Sequence, residues 1–213
     1  MPVLVIGAGE HALVCIEVLR ESGYEVRGCV ASRVEAADGL RRLGVPVLGT
    51  DSALPDLLGA HASVLLAVGA NDARHRLMEA VVEAGATLVT AVSPRAVVSL
   101  SASIAPGALV MLGALVNALA SIGQGAVVNT AAVVEHECVV GPAAHIAPAA
   151  VLAGNVHVGD GALVGVGARV LPGRRIGQWA VVGAGAAVID DVADGATVVG
   201  VPARQVRPEG DDG

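Results

Sequence analysis

One short segment of the chain concentrates polar side chains that could exchange a proton. It runs from Asn129 to Cys138 and contains Glu135, His136 and Glu137 in succession. Imidazole exchanges protons near neutral pH, and an adjacent carboxylate can fix its tautomer and strengthen it as a base. The pattern predicts that His136, oriented by Glu137, removes a proton from an attacking amine or hydroxyl. Because neighbours on a flat strand point to opposite sides, this pairing requires a corner between the two residues. Glu135 is the alternative partner.

A second candidate site lies near the N-terminus, where an apolar run is followed by Gly7-Ala8-Gly9-Glu10-His11-Ala12. An amphipathic segment comes next, so the pattern predicts a strand, a glycine turn and a helix start. Free N–H groups at a helix start bind anions, phosphates in particular. A dinucleotide site would also need an acidic residue after the second strand, where Ala31 and Ser32 stand instead. The turn therefore favours a phosphate-bearing small molecule over NAD, with a turn that only packs helix on strand as the alternative.

Alternating strands and helices must position this first site. Apolar runs predict four strands, at residues 3–6, 25–30, 64–68 and 87–92. Helices are predicted after the first and third of them, and the third strand leads into another glycine turn, Gly69-Ala70-Asn71. This order indicates a small parallel α/β domain, to which we assign residues 1–93.

The second half of the chain is organised by a six-residue repeat. Every sixth residue from Val98 to Val188 is Val, Ile or Leu, sixteen consecutive matches without an insertion. The residue four places after each match is Ala in twelve of the sixteen cases. A helical period of 3.6 does not produce this pattern, which argues against a membrane span in the uncharged stretch from Ala96 to Val134. The repeat predicts a three-sided coil in which residues one turn apart stack at the ~4.8 Å spacing of β-strands.

The interior of this coil should hold the repeated aliphatic residues, with Ala at the tight corners. Glycines such as Gly123, Gly141, Gly159, Gly177 and Gly183 are expected to supply turn conformations that other residues resist. A narrow interior also explains a composition that is 54% hydrophobic but only 1% aromatic.

Composition and charge exclude several classes of function. All 13 basic residues are Arg, and 20 acidic residues give a net charge of −7, so the chain lacks the basic stripe that binds DNA or RNA. High apolarity and low charge exclude a disordered chain. Three widely spaced cysteines, Cys15, Cys29 and Cys138, indicate the reducing cytoplasm and not a disulfide framework. The N-terminus lacks the basic region of a signal peptide, and neither a nucleic acid nor a membrane is expected as a partner.

The repeat, in runs such as residues 122–127 (Ile-Gly-Gln-Gly-Ala-Val), resembles the hexapeptide-repeat acyltransferases. With Gly-Ala-Gly-x-His-Ala at the N-terminus and Val-Gly-Ala-Asn-Asp-Ala-Arg in the middle, the chain resembles one subfamily to about Arg207. It contains the sialic acid O-acetyltransferases and the nucleotide-sugar N-acetyltransferases of the bacillosamine and perosamine type. The resemblance implies a Rossmann-like N-terminal α/β domain for the sugar and a C-terminal left-handed parallel β-helix, at residues 94–207, for acetyl-CoA. It also implies a homotrimer, and residues 208–213 are expected to form a flexible tail.

The resemblance further implies roles for individual residues. His136 is the catalytic base, with Glu137 beside it. Independently of the resemblance, stacking of residues 18 apart places Gly154 one coil beyond His136, which makes its N–H a candidate donor to the developing oxyanion. The cofactor-binding residues are His145, Val166, Gly183, Gly185 and Arg204. The substrate-binding residues are Gly9, Glu10, His11 and Asn71. Three-fold assembly is implied to bring His136 of one subunit near His145 of another, with acetyl-CoA between them.

The predicted function is direct transfer of an acetyl group from acetyl-CoA to the amino group of a nucleotide-linked sugar, with no metal expected. Transfer to a hydroxyl of sialic acid or another sugar is the nearest alternative, and a non-catalytic sugar-binding scaffold is another. A zinc carbonic anhydrase on the same prism needs three converging histidines, usually with two of them five residues apart. His136, His145 and His157 are nine and twelve residues apart, which does not match that pattern.

Overall fold

The N-terminal half forms a parallel sheet flanked by helices. The computed structural model describes residues 2–32, 38–58 and 63–206, and the tail expected at residues 208–213 lies outside them. The strands are β1 (Pro2–Ile6), β2 (Glu25–Ala31), β3 (Val47–Thr50), β4 (Ser63–Leu66) and β5 (Thr87–Leu88). The helices are α1 (Glu10–Glu21), α2 (Asp38–Arg42), α3 (Leu54–Leu58) and α4 (Asn71–Glu83), with a 3₁₀ turn at Asp51–Ala53.

The order of the strands creates a crevice at one edge of this sheet. The order is β3-β2-β1-β4-β5, with every neighbouring pair parallel. The chain leaves β1 toward one side of the sheet and leaves β4 toward the other. In such sheets the carboxyl ends of the two strands border a crevice that is the usual ligand site. Here the crevice lies between the glycine turn after β1 and the turn that joins β4 to α4.

Two strands of this half differ from the prediction. The sequence predicts one strand at residues 87–92, but Thr87–Leu88 pairs with β4 whereas Ala91–Val92 pairs with the second half of the chain. The run divides because the Val89 N–H bonds the Val64 carbonyl and the Ala91 N–H bonds the Ala108 carbonyl, which belong to different sheets. Strand β3 was not predicted, because it is a half-buried edge strand whose short Val-Leu-Gly-Thr sequence contains only two apolar side chains.

The second half is a prism with three faces, each a sheet of short strands. The covered face, which carries the N-terminal domain, contains β6 (Ala91–Val92), β9 (Leu109–Val110), β12 (Val127–Val128), β15 (His145–Ile146), β18 (Leu163–Val164), β21 (Val181–Val182), β23 (Thr197–Val199) and β24 (Arg204–Gln205). The apolar face contains β7 (Val97–Val98), β10 (Leu115–Val116), β13 (Val133–Val134), β16 (Val151–Leu152), β19 (Arg169–Val170) and β22 (Ala187–Val188). The polar face contains β8 (Ser103–Ile104), β11 (Ser121–Ile122), β14 (Val139–Val140), β17 (His157–Val158) and β20 (Arg175–Ile176).

The register of these strands confirms the six-residue repeat. Val133 pairs with Leu115 on one side and with Val151 on the other, so partners are 18 residues apart. The repeated aliphatic residues and the Ala residues that follow them together form one continuous core. Arg174 interrupts the Ala positions and leaves 38% of its side chain exposed. In the described part of the chain no helix is both long and apolar enough to cross a membrane.

The prism glycines singled out in the sequence have a different role from the one predicted. They lie outside the left-handed region, and a Cβ on any of them would collide with the next coil. At Gly123, for example, it would lie 2.6 Å from the Pro142 nitrogen. These glycines therefore permit close approach of adjacent coils. The left-handed turn position lies two residues later, where seven residues are not glycine, Glu137 and Ala149 among them.

We expect one substitution to have opposite effects at two neighbouring positions. Ala149 is exposed and has a φ of 58°, a conformation that costs a non-glycine residue about 1–2 kcal/mol, so Ala149→Gly should raise the free energy of unfolding by roughly 0.5 kcal/mol or more. Ala150 is fully buried in the core, so Ala150→Gly should lower the free energy of unfolding by at least ~1 kcal/mol. Denaturant unfolding of both variants measures the difference. Equal destabilisation by the two would contradict this account of the turn.

Candidate active site

His136 and Glu137 occupy the turn between β13 and β14. Glu137 has a φ of 59°, and this left-handed residue brings the two neighbouring side chains together. The His136 Nδ1 and Glu137 Oε2 atoms are 3.1 Å apart, and each side chain is 58% exposed. Because a carboxylate can only accept, Nδ1 carries the proton and the Nε2 lone pair is available. The turn thus presents the His136 imidazole to solvent in a fixed orientation. It also provides the corner that the sequence analysis required for the pairing of His136 with Glu137.

The other polar residues of this segment are engaged elsewhere. Glu135, the alternative partner, accepts a hydrogen bond at 2.9 Å from Asn117, one coil earlier. The Cys138 thiol is buried, which raises its pKa, and it donates to the Ala153 carbonyl at 3.1 Å. Among the described residues, the side chain hydrogen-bonded to the His136 ring is that of Glu137.

Gly154 lies against the imidazole one coil further along. A Cβ at this position would collide with Nε2 and Cε1 of His136, so only glycine leaves room for the ring in its present place. The neighbouring Asn155 N–H donates to the His136 carbonyl at 2.9 Å and holds the two coils together. The Gly154 N–H makes no hydrogen bond to any part of the chain that the structure describes. The geometry therefore leaves a free donor beside the base.

His145 lies in a different environment, at the start of β15 on the covered face. The Thr130 N–H donates to the Asn129 Oδ1 at 2.8 Å, which directs the Asn129 amide Nδ2 toward the His145 Nε2 at 2.9 Å. Nε2 must then accept, so the proton of the neutral ring is on Nδ1. The rings of His145 and His11 are 6.2 Å apart, which joins the first turn of α1 to the prism.

Burial and a nearby cation keep these two histidines neutral. Burial, the positive charge of Arg74 and the His11 ring together lower the pKa of His145 to about 4, against the opposing effect of a backbone hydrogen bond with Gly69. Burial and Arg74 likewise lower the pKa of His11. The Nε2 atom of His11 is buried and has no hydrogen-bond partner among the described residues. The pair is therefore uncharged at neutral pH, with one ring nitrogen unsatisfied.

The crevice of the α/β domain is bordered by the starts of α1 and α4. Neither helix has a side-chain cap on its N-terminal N–H groups, although each is longer than three turns. A Cβ at Gly9 or Gly69 would meet nothing within 4 Å, so both glycines face open space, whereas one at Gly7 would collide with the Ala67 carbonyl. Two uncapped helix starts at one opening make it suited to an anion. Glu10 is exposed in the first turn of α1.

Asn71 does not offer its side chain to this crevice. Its Nδ2 donates to the carbonyls of Gly161 and Ala162, at 2.9 and 3.1 Å, and its Oδ1 accepts from Arg74 at 2.9 Å. The two bonds donated by Nδ2 fasten the start of α4 to the prism, and the bond from Arg74 lies within α4. Of the four residues expected to bind the substrate, Gly9, Glu10 and His11 thus lie together on one turn, and Asn71 supports the opposite wall.

Arg74 is a residue that sequence analysis missed. It is 1% exposed and donates to the carbonyls of Gly125 and Ala143 in the prism, at 2.9 and 2.6 Å. The available signal was a charged residue in helical register with the buried Met78 and Val81. An arginine on the buried side of a helix needs polar partners, and here those partners belong to the other half of the chain.

The residues expected to bind the cofactor fall in three places. Val166, Gly183 and Gly185 share one corner of the prism, between the covered and apolar faces, where the Gly185 N–H donates to the Val166 carbonyl at 2.8 Å. Arg204 is exposed in β24, antiparallel to β23 at the end of the covered face. His145 is separate from them, because it begins β15 on the covered face, beside His11. Whether each of these residues binds acetyl-CoA stays a prediction.

The two groups of histidines lie on opposite sides of the prism. His136 is at the corner between the apolar and polar faces, and the face opposite that corner of a triangular prism is the covered face. His145 and His11 lie on that opposite face. One chain therefore cannot bring the exposed base to the crevice of its own α/β domain. Within the described ranges, no group of three or more His, Cys, Asp or Glu residues is arranged to hold a metal ion.

Comparisons with known proteins match both halves of the chain. Residues 2–81 match the family model of the PglD N-terminal domain. No curated protein sequence matches. Among solved structures, the chain resembles perosamine N-acetyltransferase from Caulobacter crescentus in complex with CoA and GDP-perosamine, with 42% identity over 97% of each chain and a TM-score of 0.90.

Two further structures extend the similarity. The acetyltransferase domain of PglB from Neisseria gonorrhoeae FA1090, in complex with acetyl coenzyme A, is 34% identical over 96% of this chain and 98% of that one, with a TM-score of 0.87. WeeI from Acinetobacter baumannii AYE is 25% identical over 97% of this chain and 100% of that one, with a TM-score of 0.84. The prediction of a Rossmann-like domain followed by a left-handed β-helix is confirmed.

We expect acid to destabilise the protein through His145. Its pKa is about 4 in the folded chain against 6.5 for the free side chain, so between these values the unfolded state binds more protons. The free energy of unfolding should therefore fall by roughly 3 kcal/mol as the pH decreases from 6.5 to 4, with no contribution from this group above 6.5. Urea unfolding at a series of pH values measures this dependence.

A matched pair of variants isolates the contribution of His145. His145→Gln should flatten the pH dependence, because an amide does not titrate and can still accept from Asn129. His157→Gln, at the equivalent strand position on the polar face, should leave it as in the wild type. A His145→Gln protein that loses as much stability in acid as the wild type would show that another group is responsible.

Proposed function

Since the chain belongs to the nucleotide-sugar N-acetyltransferases, we propose that it transfers the acetyl group of acetyl-CoA to the amino group of a nucleotide-linked amino sugar. The 42% identical relative was solved with CoA and GDP-perosamine, and the PglB domain with acetyl coenzyme A. The single observation in this chain that carries the proposal is the exposed His136–Glu137 pair above Gly154. It supplies the base, its orientation and a free N–H donor at one place.

In the proposed mechanism the sugar amine attacks the thioester carbonyl directly. The His136 Nε2 accepts the proton of the amine as the C–N bond forms, and Glu137 stabilises the resulting imidazolium through Nδ1. The Gly154 N–H donates to the carbonyl oxygen as negative charge develops on it. The C–S bond then breaks, and His136 returns the proton to the sulfur of CoA. No acyl-enzyme intermediate is formed.

The crevice of the α/β domain is the proposed site of the nucleotide-linked sugar. Two uncapped helix starts and the buried charge of Arg74 favour a diphosphate there, although the chain has no Lys and its net charge is −7. Gly9 and Gly69 leave room for the phosphates. Glu10, at the same opening, limits how much negative charge the site tolerates.

Acetyl-CoA is proposed to lie along the corner that Val166, Gly183 and Gly185 form. Arg204, further along, is the basic residue proposed to meet a phosphate of the cofactor. His145, at the start of the covered face, is proposed to border the acetyl group. In this proposal residues 1–93 bind the sugar, whereas residues 94–207 bind acetyl-CoA and contain the catalytic base.

The proposed assembly is a homotrimer in which each active site is shared by two subunits. The base of one subunit would meet the crevice and His145 of the next, which resolves the separation of the two groups within one chain. The apolar face supports this arrangement, because its outward residues Val97 and Leu115 are 64% and 39% exposed in the single chain. The proposed compartment is the cytoplasm, on the ground that Cys15, Cys29 and Cys138 are free thiols.

An acceptor panel tests the activity. Acetyl-CoA consumption should be detected with a UDP- or GDP-linked 4-amino-4,6-dideoxy sugar and not with free sialic acid. His136→Ala should lower kcat at least ~100-fold because the base is lost, with unchanged thermal unfolding. His157→Ala, on another face, is the control and should retain activity. Turnover of sialic acid alone would replace N-acetylation by O-acetylation, and an active His136→Ala enzyme would exclude His136 as the base.

Mixed subunits test the shared site. His136→Ala removes the base, and Gly69→Glu adds a carboxylate to the crevice, so each variant alone should be inactive. When differently tagged chains are co-expressed and the mixed trimer is isolated, one of its three sites combines an intact base with an intact crevice, and about a third of wild-type activity should return. Absence of recovery in a purified mixed oligomer would mean that both parts of the site belong to one chain.

A further inference from the structure

We propose that Arg74 is a positioning residue for this reaction, which fastens the wall of the sugar crevice to the prism and holds His145 as a neutral hydrogen-bond acceptor. The proposal rests on the proposed function for its kinetic consequences. Its structural consequences are independent of any substrate. Three features of the surroundings of Arg74 support it: the burial of the charge, the identity of its partners and the residues that those partners adjoin.

The guanidinium of Arg74 is buried without a carboxylate. Its exposure is 1%, and within the described residues every hydrogen bond that it donates goes to a backbone carbonyl or to the Asn71 amide oxygen. A buried cation is normally neutralised by a partner of opposite charge. Here the neutralisation is left to carbonyl dipoles, so the field of the cation extends to its neighbours. Burial lowers the pKa of Arg74 only to about 10, and the group remains charged at neutral pH.

The partners of Arg74 belong to both walls of the site. Nη1 donates to the carbonyls of Val68 and Gly69, at 2.9 and 3.1 Å, in the turn between β4 and α4 that borders the crevice. Nη2 donates to the Ala143 carbonyl at 2.6 Å, in the turn that leads directly into His145. One rigid, planar group thus sets the distance between the crevice and β15. A lysine at this position would retain the charge but not this geometry.

The charge of Arg74 also selects the state of His145. The titratable and charged groups that face His145 are Arg74 from α4 and His11 from α1. Asn129 can donate to the His145 Nε2 only while that nitrogen is unprotonated, because the Thr130 N–H fixes the orientation of the amide. Protonation of His145 would set two donors against each other and displace one of the side chains. A cation that disfavours this protonation therefore preserves the arrangement over the pH range in which His136 must act as a base.

Three variants of the full-length protein separate charge, geometry and packing. Arg74→Met keeps much of the volume and removes the charge, and Arg74→Lys keeps the charge and removes the fork of donors. Arg76→Met is the control, because Arg76 lies on the same helix, is exposed and pairs with Asp72 at 3.1 Å. Folding is checked by thermal unfolding and by the oligomeric state. The histidine rings are followed by NMR titration of the ¹⁵N-labelled protein.

We expect His145 to titrate at least one pH unit higher in Arg74→Met than in the wild type, and to be nearly unchanged in Arg74→Lys and Arg76→Met. In acetyl transfer, the activity of Arg74→Met should fall about twofold more than that of the wild type between pH 8 and pH 5, because about half of its His145 is then protonated at pH 5. Arg74→Lys should keep the wild-type pH profile but lower kcat about tenfold, because the walls of the site are less firmly held. A folded Arg74→Met protein with wild-type His145 titration and pH profile would overturn the proposal.

One measurement needs no variant at Arg74. In the wild type, ¹⁵N shifts should show His145 with its proton on Nδ1 and no titration between pH 5 and 8. A proton on Nε2, or a titration in that range, would overturn the proposal even if Arg74→Met does not fold. Lack of acetyl transfer to every acceptor, with the expected His145 titration, would instead contradict the proposed function and leave the electrostatic role of Arg74 in place.

Discussion

Stacking of residues 18 apart is the constraint from which the geometry of the site follows. Each coil advances by one β-strand spacing, about 4.8 Å, so a side chain is always packed against the equivalent residue of the next coil. This is why Gly154 lies against the His136 ring and why Asn117 reaches Glu135. The left-handed turn residue in each coil has a related effect at Glu137, because it brings two consecutive side chains together. The pairing of His136 with Glu137 is therefore a product of the coil itself.

The same spacing allows the α/β domain to dock. A turn of α-helix rises 5.4 Å, close to the separation of successive coils, so residues on one side of α4 meet successive turns of the prism. Arg74 reaches the carbonyls of Gly125 and Ala143, and Asn71 reaches that of Gly161 in the following coil. The bonds go to backbone carbonyls, which every coil offers whatever its side chains. The crevice is thereby fixed over the covered face.

Docking on that face separates two kinds of histidine. His136 is exposed beside a carboxylate, whereas His145 and His11 are half-buried near a guanidinium that has no carboxylate partner in the described chain. The first environment suits a group that accepts and returns a proton, and the second suits neutral groups that orient their surroundings. Because they lie on opposite sides of the prism, a catalytic site that uses both must be completed by a second copy of the chain.

Sequence alone determined what depends on local periodicity and local chemistry: the coil from Val98 to Val188, the glycine turn before α1 and the corner between His136 and Glu137. Each of these signals lies within, or repeats over, a few neighbouring residues, so it can be recognised in the sequence without the tertiary structure. Tertiary structure decided the division of residues 87–92 between two sheets, the role of Arg74, and the distance between the two histidine groups. The carbonyl partners of Arg74 in the prism are 51 and 69 positions away along the chain. Backbone carbonyls carry no side-chain signature, so a contact of this kind exists only once the two halves have packed together.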